Sequence, residues 1–105
     1  MSKSTIITEP DWLPNPTPGE ILLEEFLRPL DLSQTALARA LSVPPQRINE
    51  IVLGRRAVTA DTDLRLSRDF GMTRGSILGS QADHDLMERR RELGPSLALI
   101  APRAA

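Results

Sequence analysis

A chain of 105 residues with a net charge of −1 is long enough for one domain and too short for two of ordinary size. It contains no cysteine, which excludes a disulfide framework and a thiolate metal site, and it has no run of about 18 apolar residues that could cross a membrane. Because aromatic residues make up only 3% of the chain, the core must be built from Leu, Ile, Val and Ala. These features predict an all-α cytoplasmic protein.

The charge is distributed unevenly along the sequence. Residues 1–32 carry two positive and six negative charges, which is a net charge of −4. Residues 33–56 carry four positive charges and one negative, a net charge of +3, and residues 57–105 carry seven of each sign. A positive field confined to one segment is compatible with a nucleic-acid partner even though the whole chain is slightly acidic.

A proline-rich arm is predicted for residues 1–17. The stretch TEPDWLPNPTP, residues 8–18, contains four prolines, which lack a backbone donor and push the preceding residues towards extended conformations. Trp12 is the only tryptophan of the chain. It would serve either as an anchor for a partner protein or as a pin that holds the arm to the domain, and the sequence favours neither.

Three amphipathic helices are predicted after the arm. Helix 1 runs from Pro18 to about Pro29, since leucine and phenylalanine recur at spacings of three and four residues. Ser33 is a good N-cap for helix 2, and Pro45 suits the first turn of helix 3. Gly54 is placed to end helix 3.

Two further helices and a tail complete the predicted chain. Thr59 caps helix 4, Gly71 ends it, and Asp63 is expected to be a solvent-facing acid of its first turn. Thr73 is expected to cap helix 5, which passes through Ile77, Leu78, Ala82 and Leu86 to the run ERRRE. For residues 93–105 a small strand, a docked tail and disorder are all compatible with the sequence.

Helices 2 and 3 have the spacing of a helix-turn-helix motif over residues 33–54. Ala38 is small enough for the helix crossing, Leu41 and Val43 flank the turn, and Ile48 and Ile51 recur on the inner face of the second helix. This pattern predicts a DNA-binding domain over residues 18–92.

The face of helix 3 opposite Ile48 and Ile51 is polar with short side chains. It is centred on Gln46, Glu50 and Leu53, and Arg47 and Asn49 lie on its flanks. Gln and Asn can pair with adenine, Arg with guanine, a carboxylate with the cytosine amine, and an apolar group with the thymine methyl. We expect Glu50 to pair with Arg47 one turn away.

Phosphate contacts require positive charge or polar donors beside that face. Gln34 at the start of helix 2 and Arg55 and Arg56 just after helix 3 are predicted to make them.

Other charged groups favour less specific roles. His84 lies between two aspartates, but no second His and no Cys exists, so it is interpreted as a surface residue and no metal site is predicted. The run ERRRE is interpreted as a solvated helix end. The acidic side chains of helix 1, including Glu20 and Glu24, form either a contact surface for a basic partner protein or a solvated face.

The run Pro18–Gly71 resembles the HigA (VapI-like) antitoxins of bacterial toxin–antitoxin modules, within the phage-repressor-like (XRE-type) helix-turn-helix proteins. The resemblance is carried by PGEILLEEFL ahead of the motif, followed by RINEIV-G-R and TADT-LRL. It implies a compact five-helix, lambda-repressor-like domain that forms a homodimer. It also implies binding to operator DNA, with no cofactor, and inhibition of a RelE-like ribonuclease toxin. The implied DNA contacts are Gln34, Gln46, Arg47, Asn49, Glu50, Arg55 and Arg56, and the toxin contacts assigned here are Trp12, Glu20 and Glu24.

The sequence departs from this family at several positions. Family members usually have Gly where Asp31 and Ser42 stand, Ala where Asp63 stands, and PEFWLNLQ where this chain has RGSILGSQ at residues 74–81. Ser42 must then adopt the conformation that glycine adopts elsewhere. Two rival functions remain: a stand-alone regulator without a toxin, and a protein-interaction module that has lost DNA binding.

Overall fold

The computed structural model describes residues 13–104, and within them the chain is all-α, as predicted. Helix α1 begins as an α-helix, Pro18–Ile21, and continues as a π-helix, Leu22–Leu27. The other elements are α2 (Gln34–Leu41), α3 (Pro45–Val52), α4 (Ala60–Phe70), α5 (Ser76–Leu93) and a 3-10 helix (Gly94–Leu99). No strand occurs in this part of the chain, and the predicted division at residues 17 and 92 remains a prediction.

The first helix starts as expected but changes its hydrogen-bonding pattern. Thr17 and Glu20 form a reciprocal capping box, in which the Thr17 hydroxyl accepts from the Glu20 N–H at 3.0 Å and the Glu20 carboxylate accepts from the Thr17 N–H at 2.8 Å. The wider π-helical turn buries both Leu22 and Leu27. Residues after Leu27 form turns, so the helix ends two residues before Pro29, close to the predicted end.

The helix-turn-helix forms where it was predicted. Ser33 caps α2 by accepting from the Ala36 N–H at 3.0 Å, and Pro45 is the first residue of α3. Ser42 ends α2 with φ 58°, which confirms that it adopts the left-handed conformation. The chain can then turn sharply and bury Val43.

One apolar core holds the first four helices and the start of α5 together. Phe26 and Phe70 stack at its edge with their ring centroids 4.8 Å apart. Gly19 lies directly against the backbone carbonyl of Ile51, so that no larger residue fits where α1 meets the end of α3. The buried apolar residues are Leu22, Leu27, Leu37, Ala38, Leu41, Val43, Ile48, Ile51, Val58, Leu66 and Ile77.

Asp63 is the clearest departure from the sequence prediction. Its side chain is only 1% exposed, so the prediction of a solvent-facing acid was wrong. One carboxylate oxygen accepts from the Gly75 N–H at 2.6 Å and the other from the Leu78 N–H at 2.9 Å. Burial by itself raises the pKa of Asp63, but these backbone donors and the Ser67 hydroxyl outweigh it and hold the pKa below the ordinary value.

The start of α5 depends on this carboxylate. The prediction that Thr73 caps the helix was wrong, because the capping position is Gly75 at φ 89°, which offers no side-chain acceptor. Asp63 supplies the acceptor from α4 instead, and it satisfies N–H groups that would otherwise lack partners at the helix start.

Most of α5 lies outside the core. Leu86 is 69% exposed, and only Ile77 is buried in this helix. The segment before α1 is hydrogen-bonded to the side of α5. Asn15 donates to the carbonyl of His84 at 2.9 Å, and Arg91 donates to the carbonyl of Leu13 at 2.7 Å. Residues 94–99 form an exposed 3-10 helix rather than a strand. No helix among residues 13–104 has the length and apolar character to cross a membrane.

Candidate nucleic-acid interface

The outward face of α3 is exposed to solvent. Gln46 and Asn49 are exposed and Leu53 is 53% exposed, while Ile48 and Ile51 on the opposite face are buried. Pro44 at the N-cap and Pro45 as the first residue of α3 set the start of the helix. The structure thus presents a short polar helix face with one apolar side chain at its end.

Two residues predicted to contact DNA are joined across the motif. The Asn49 amide donates to the Gln34 side-chain oxygen at 3.2 Å, which links the middle of α3 to the first turn of α2. Each amide keeps further donors and acceptors for a ligand. This bond restrains both side chains at the surface.

Glu50 pairs with a different arginine from the one expected. Its carboxylate accepts from Arg56 at 2.7 Å and from Gln46 at 3.1 Å, so the predicted pairing with Arg47 was wrong. The hydrogen bond from Arg56 is the largest influence on the pKa of Glu50, and the pKa lies below its ordinary value. Glu50 therefore stays ionised, and its charge is balanced by the arginine beside it.

Arg47 forms an ion pair with Asp61 of α4 instead of with Glu50. Its guanidinium lies 2.8 Å from Asp61, and its side chain is 28% exposed. Asp61 also accepts from Arg65 at 3.0 Å, and Arg65 donates to the carbonyl of Leu41 at the end of α2 at 2.7 Å. Hydrogen bonds from Arg65 and then Arg47 lower the pKa of Asp61. The sequence analysis missed this network, which ties α3 to α4 and α2.

Arg55 and Arg56 lie where predicted, in the exposed loop after α3. Gly54 adopts φ 75° at the end of the helix, and the Arg55 N–H donates to the Glu50 carbonyl at 2.8 Å. The far end of the loop is held by Gln81 of α5, whose side-chain amide bonds both the N–H and the carbonyl of Val58. Gln81 was not singled out in the sequence, since a lone polar residue in a helix carries no spacing signal.

The structure describes two of the three residues that are predicted to contact a toxin. Glu20 is exposed but is engaged in the capping box, and Glu24 is exposed and lies 3.4 Å from Arg28. Trp12 lies outside the described residues. An acidic surface on α1 is therefore present, and part of it is internally paired.

His84 and the run ERRRE, the other charged groups considered in the sequence, lie on α5. His84 was expected at the surface but is half-buried, with its Nδ1 atom buried and without a hydrogen-bond partner. Arg89 pairs with Glu92 at 2.9 Å. Among residues 13–104 no group of three or more His, Asp or Glu side chains is arranged to hold a metal ion.

Comparison with known proteins gives a consistent result. The helix-turn-helix family model matches residues 23–76. Virulence-associated protein I of Dichelobacter nodosus is 55% identical over 85 residues, which cover 81% of this chain and 78% of that protein.

Solved structures are similar over nearly the whole fold. The antitoxin HigA of Pseudomonas aeruginosa, determined with the higBA promoter, is 35% identical with a TM-score of 0.78, over 87% of this chain and all (100%) of that one. An addiction module antidote protein of the HigA family from Coxiella burnetii is 34% identical with a TM-score of 0.79, over 87% and 100% of the two chains.

Proposed function

We propose that this chain, which belongs to the helix-turn-helix family of HigA and virulence-associated protein I, represses its own promoter and neutralises a RelE-like ribonuclease toxin. As a member of this family it is a DNA-binding regulator and not an enzyme. The repression of its own operon, the toxin and the homodimer are the parts that we propose. Action on DNA and on a ribonuclease fits a location in the cytoplasm.

The observation that carries the proposal is the exposed face of α3 inside the most basic segment of the chain. Gln46 and Asn49 provide amides that can pair with adenine, and Leu53 provides an apolar group that can meet a thymine methyl. A helix of this size fits the major groove of B-DNA. We infer that these three side chains read the operator sequence.

Phosphate contacts are assigned to the edges of this face. Arg55 and Arg56 follow α3 on one side, and Gln34 begins α2 on the other. Pairing with Arg56 balances the charge of Glu50, so the carboxylate can approach the duplex with less repulsion and can accept from a cytosine amine. Arg47 retains guanidinium donors beyond the one that binds Asp61, and we assign it to a phosphate rather than to a base.

A homodimer would place two such helices on successive turns of the duplex. The exposed leucines of α5 and the following 3-10 helix support self-association, because an apolar strip of this kind is costly to leave in water. Leu86, Met87, Leu93 and Leu97 line a groove there, together with Asp83, Arg89 and Arg90.

The antitoxin role is supported by the acidic N-terminal segment. Residues 1–32 have a net charge of −4, and Glu20 and Glu24 are exposed on α1. A ribonuclease that binds RNA must present a basic surface, which such a segment complements. We assign Trp12, Glu20 and Glu24 to this contact.

Binding to the chain's own promoter tests the DNA half of the proposal. Fluorescence anisotropy with a labelled promoter duplex should show tight binding that weakens by about 10³-fold or more between 50 and 200 mM salt, if a dimer makes about six phosphate contacts. Asn49→Ala and Gln46→Ala should each lose about 10-fold or more in affinity for this duplex. Arg74→Ala, which removes a charge in the exposed turn before α5, serves as the control and should bind normally. Equal affinity for promoter and random duplexes would contradict sequence-specific repression.

Copurification tests the toxin half. The protein expressed with its neighbouring genes should retain a small basic protein, and Glu24→Lys should weaken the complex while leaving promoter binding unchanged. If promoter binding is tight and no such protein is retained or encoded nearby, the chain is a stand-alone regulator.

A further inference from the structure

We propose that Gln81 of α5 is a positioning residue for DNA binding, which holds the loop bearing Arg55 and Arg56 in the conformation that meets the phosphates. This inference rests on the proposed function of the α3 face. Gln81 itself does not lie on that face. It acts through the backbone of Val58, which lies four residues after Gly54, the residue with positive φ that follows α3.

The side chain of Gln81 makes two hydrogen bonds to the backbone of Val58. The Gln81 Oε1 atom accepts from the Val58 N–H at 2.7 Å, and its Nε2 atom donates to the Val58 carbonyl at 2.9 Å. A side-chain amide offers one acceptor and two donors side by side, so it satisfies both polar groups of one residue's backbone. Both bonds are partly buried, where an unsatisfied backbone group is costly.

The loop between α3 and α4 is thereby held at both ends. At its start the Arg55 N–H bonds to the Glu50 carbonyl and the Arg56 side chain to the Glu50 carboxylate. At its end the side chain of Val58 is buried in the core and its backbone is bound by Gln81. Residues 54–57 between these anchors are exposed. Removing the Gln81 anchor would leave the two arginines on a segment held firmly only at the α3 end.

Gln81 is itself held in place by the capping contact of Asp63. The Asp63 carboxylate binds the Leu78 N–H, one helical turn before Gln81 on α5. The position of α5 along α4 therefore determines where the amide of Gln81 meets Val58. A chain of hydrogen bonds runs from α4 through the start of α5 to the loop that carries the guanidinium groups.

The test compares Gln81→Met with the matched control Ala82→Met. Methionine keeps the length of the glutamine side chain and removes both hydrogen bonds, while Ala82 is an exposed neighbour on the same helix. At a temperature where all variants are folded by circular dichroism, Gln81→Met should bind the promoter duplex about 10-fold more weakly. The plot of the logarithm of the binding constant against the logarithm of the salt concentration should become shallower, by the amount expected for the loss of about one phosphate contact. Ala82→Met should match the wild type in both.

A double-mutant cycle distinguishes positioning from simple destabilisation. In a background with Arg55→Ala and Arg56→Ala, the substitution Gln81→Met should change affinity by less than about 2-fold, because no guanidinium remains to be positioned. Gln81→Leu, which is uncharged and also removes both hydrogen bonds, replaces Gln81→Met if that variant does not fold, and the same weakening and loss of slope are expected of it.

The outcomes separate this inference from the proposed function. If the wild type binds the promoter, and a folded Gln81 variant binds it with unchanged affinity and salt slope, the positioning role is refuted while the proposed function stands. If the wild type fails to bind its promoter, the proposed function itself is refuted. The positioning role would also be refuted if Gln81→Met weakened promoter binding equally in the wild type and in the background that lacks Arg55 and Arg56.

Discussion

The α2–α3 unit buries six apolar side chains within residues 34–52, whereas α5, with 18 residues, buries only Ile77. The first region is held by close packing, whereas α5 is also joined to the rest of the molecule by hydrogen bonds to the Asp63 carboxylate, the Val58 backbone and the Asn15 side chain. The α3 face that we propose to contact DNA thus rests on the closely packed part of the molecule, while most of the helix with exposed leucines lies outside the core. This difference predicts that the two regions respond differently to substitution.

Truncation of core residues should show the largest effect. Ile48→Ala in α3 removes a fully buried side chain and should lower the free energy of unfolding by about 2–5 kcal/mol. Leu99→Ala at the exposed 3-10 helix should change it by less than about 0.5 kcal/mol. Urea denaturation followed by circular dichroism measures both, and similar costs would contradict the contrast between the two regions.

Loss of the carboxylate at position 63 should have an intermediate effect. Asp63→Asn places an amide donor against the N–H of Gly75 or Leu78 and should cost about 1–3 kcal/mol in the free energy of unfolding. Amide hydrogen exchange should show faster exchange at the start of α5 than in α3. Asp69→Asn, an exposed position on the same helix α4, is the control and should be neutral. If Asp63→Asn left the free energy of unfolding unchanged, the capping contact would make no contribution to stability.

The same carboxylate predicts a dependence on pH. Because folding lowers the pKa of Asp63 below its ordinary value of 3.8, its stabilising contribution is complete above that value and is lost as the pH falls through the folded-state pKa. The wild type should therefore lose more stability than Asp63→Asn as the pH falls below about 4. Thermal melts of both proteins between neutral and acidic pH measure the difference, and parallel curves would contradict the assignment.

The turn of the motif should show the smallest effect. Ser42→Gly relieves the left-handed strain but adds freedom to the unfolded chain, so it should raise the free energy of unfolding by about 0.5 kcal/mol. Ser42→Val should lower it, since a branched side chain disfavours that conformation further. Thermal denaturation ranks the three proteins, and a destabilising Ser42→Gly would show that the serine side chain itself contributes.

The contrast also explains which features the sequence could reveal. The apolar spacing of Leu37, Leu41, Ile48 and Ile51 encodes the helix-turn-helix directly, because packing imposes a period of 3.6 residues. Caps such as Ser33 and Thr59 were confirmed because they act within three residues of their partners.

The polar contacts of α4 and α5 could not be predicted from local spacing in the sequence. Asp63 reaches residues 12 and 15 positions away, and Gln81 reaches 23 positions back, so neither leaves a local pattern. The same reason accounts for Arg47, which was assigned to its helical neighbour Glu50 while Asp61, 14 residues away, offered the closer partner. Long-range pairing of polar side chains depends on the assembled fold, and local spacing gives no access to it.

The central claim is that the exposed face of α3 enters a groove of the promoter duplex. Mapping of backbone amide shifts in the labelled protein during titration with that duplex tests it most directly. We expect the largest changes at Gln46, Asn49 and Leu53, with smaller ones at Gln34, Arg55 and Arg56, and little change in the second half of α5. Shifts concentrated on α5 or on the acidic face of α1, with α3 unaffected, would contradict the account.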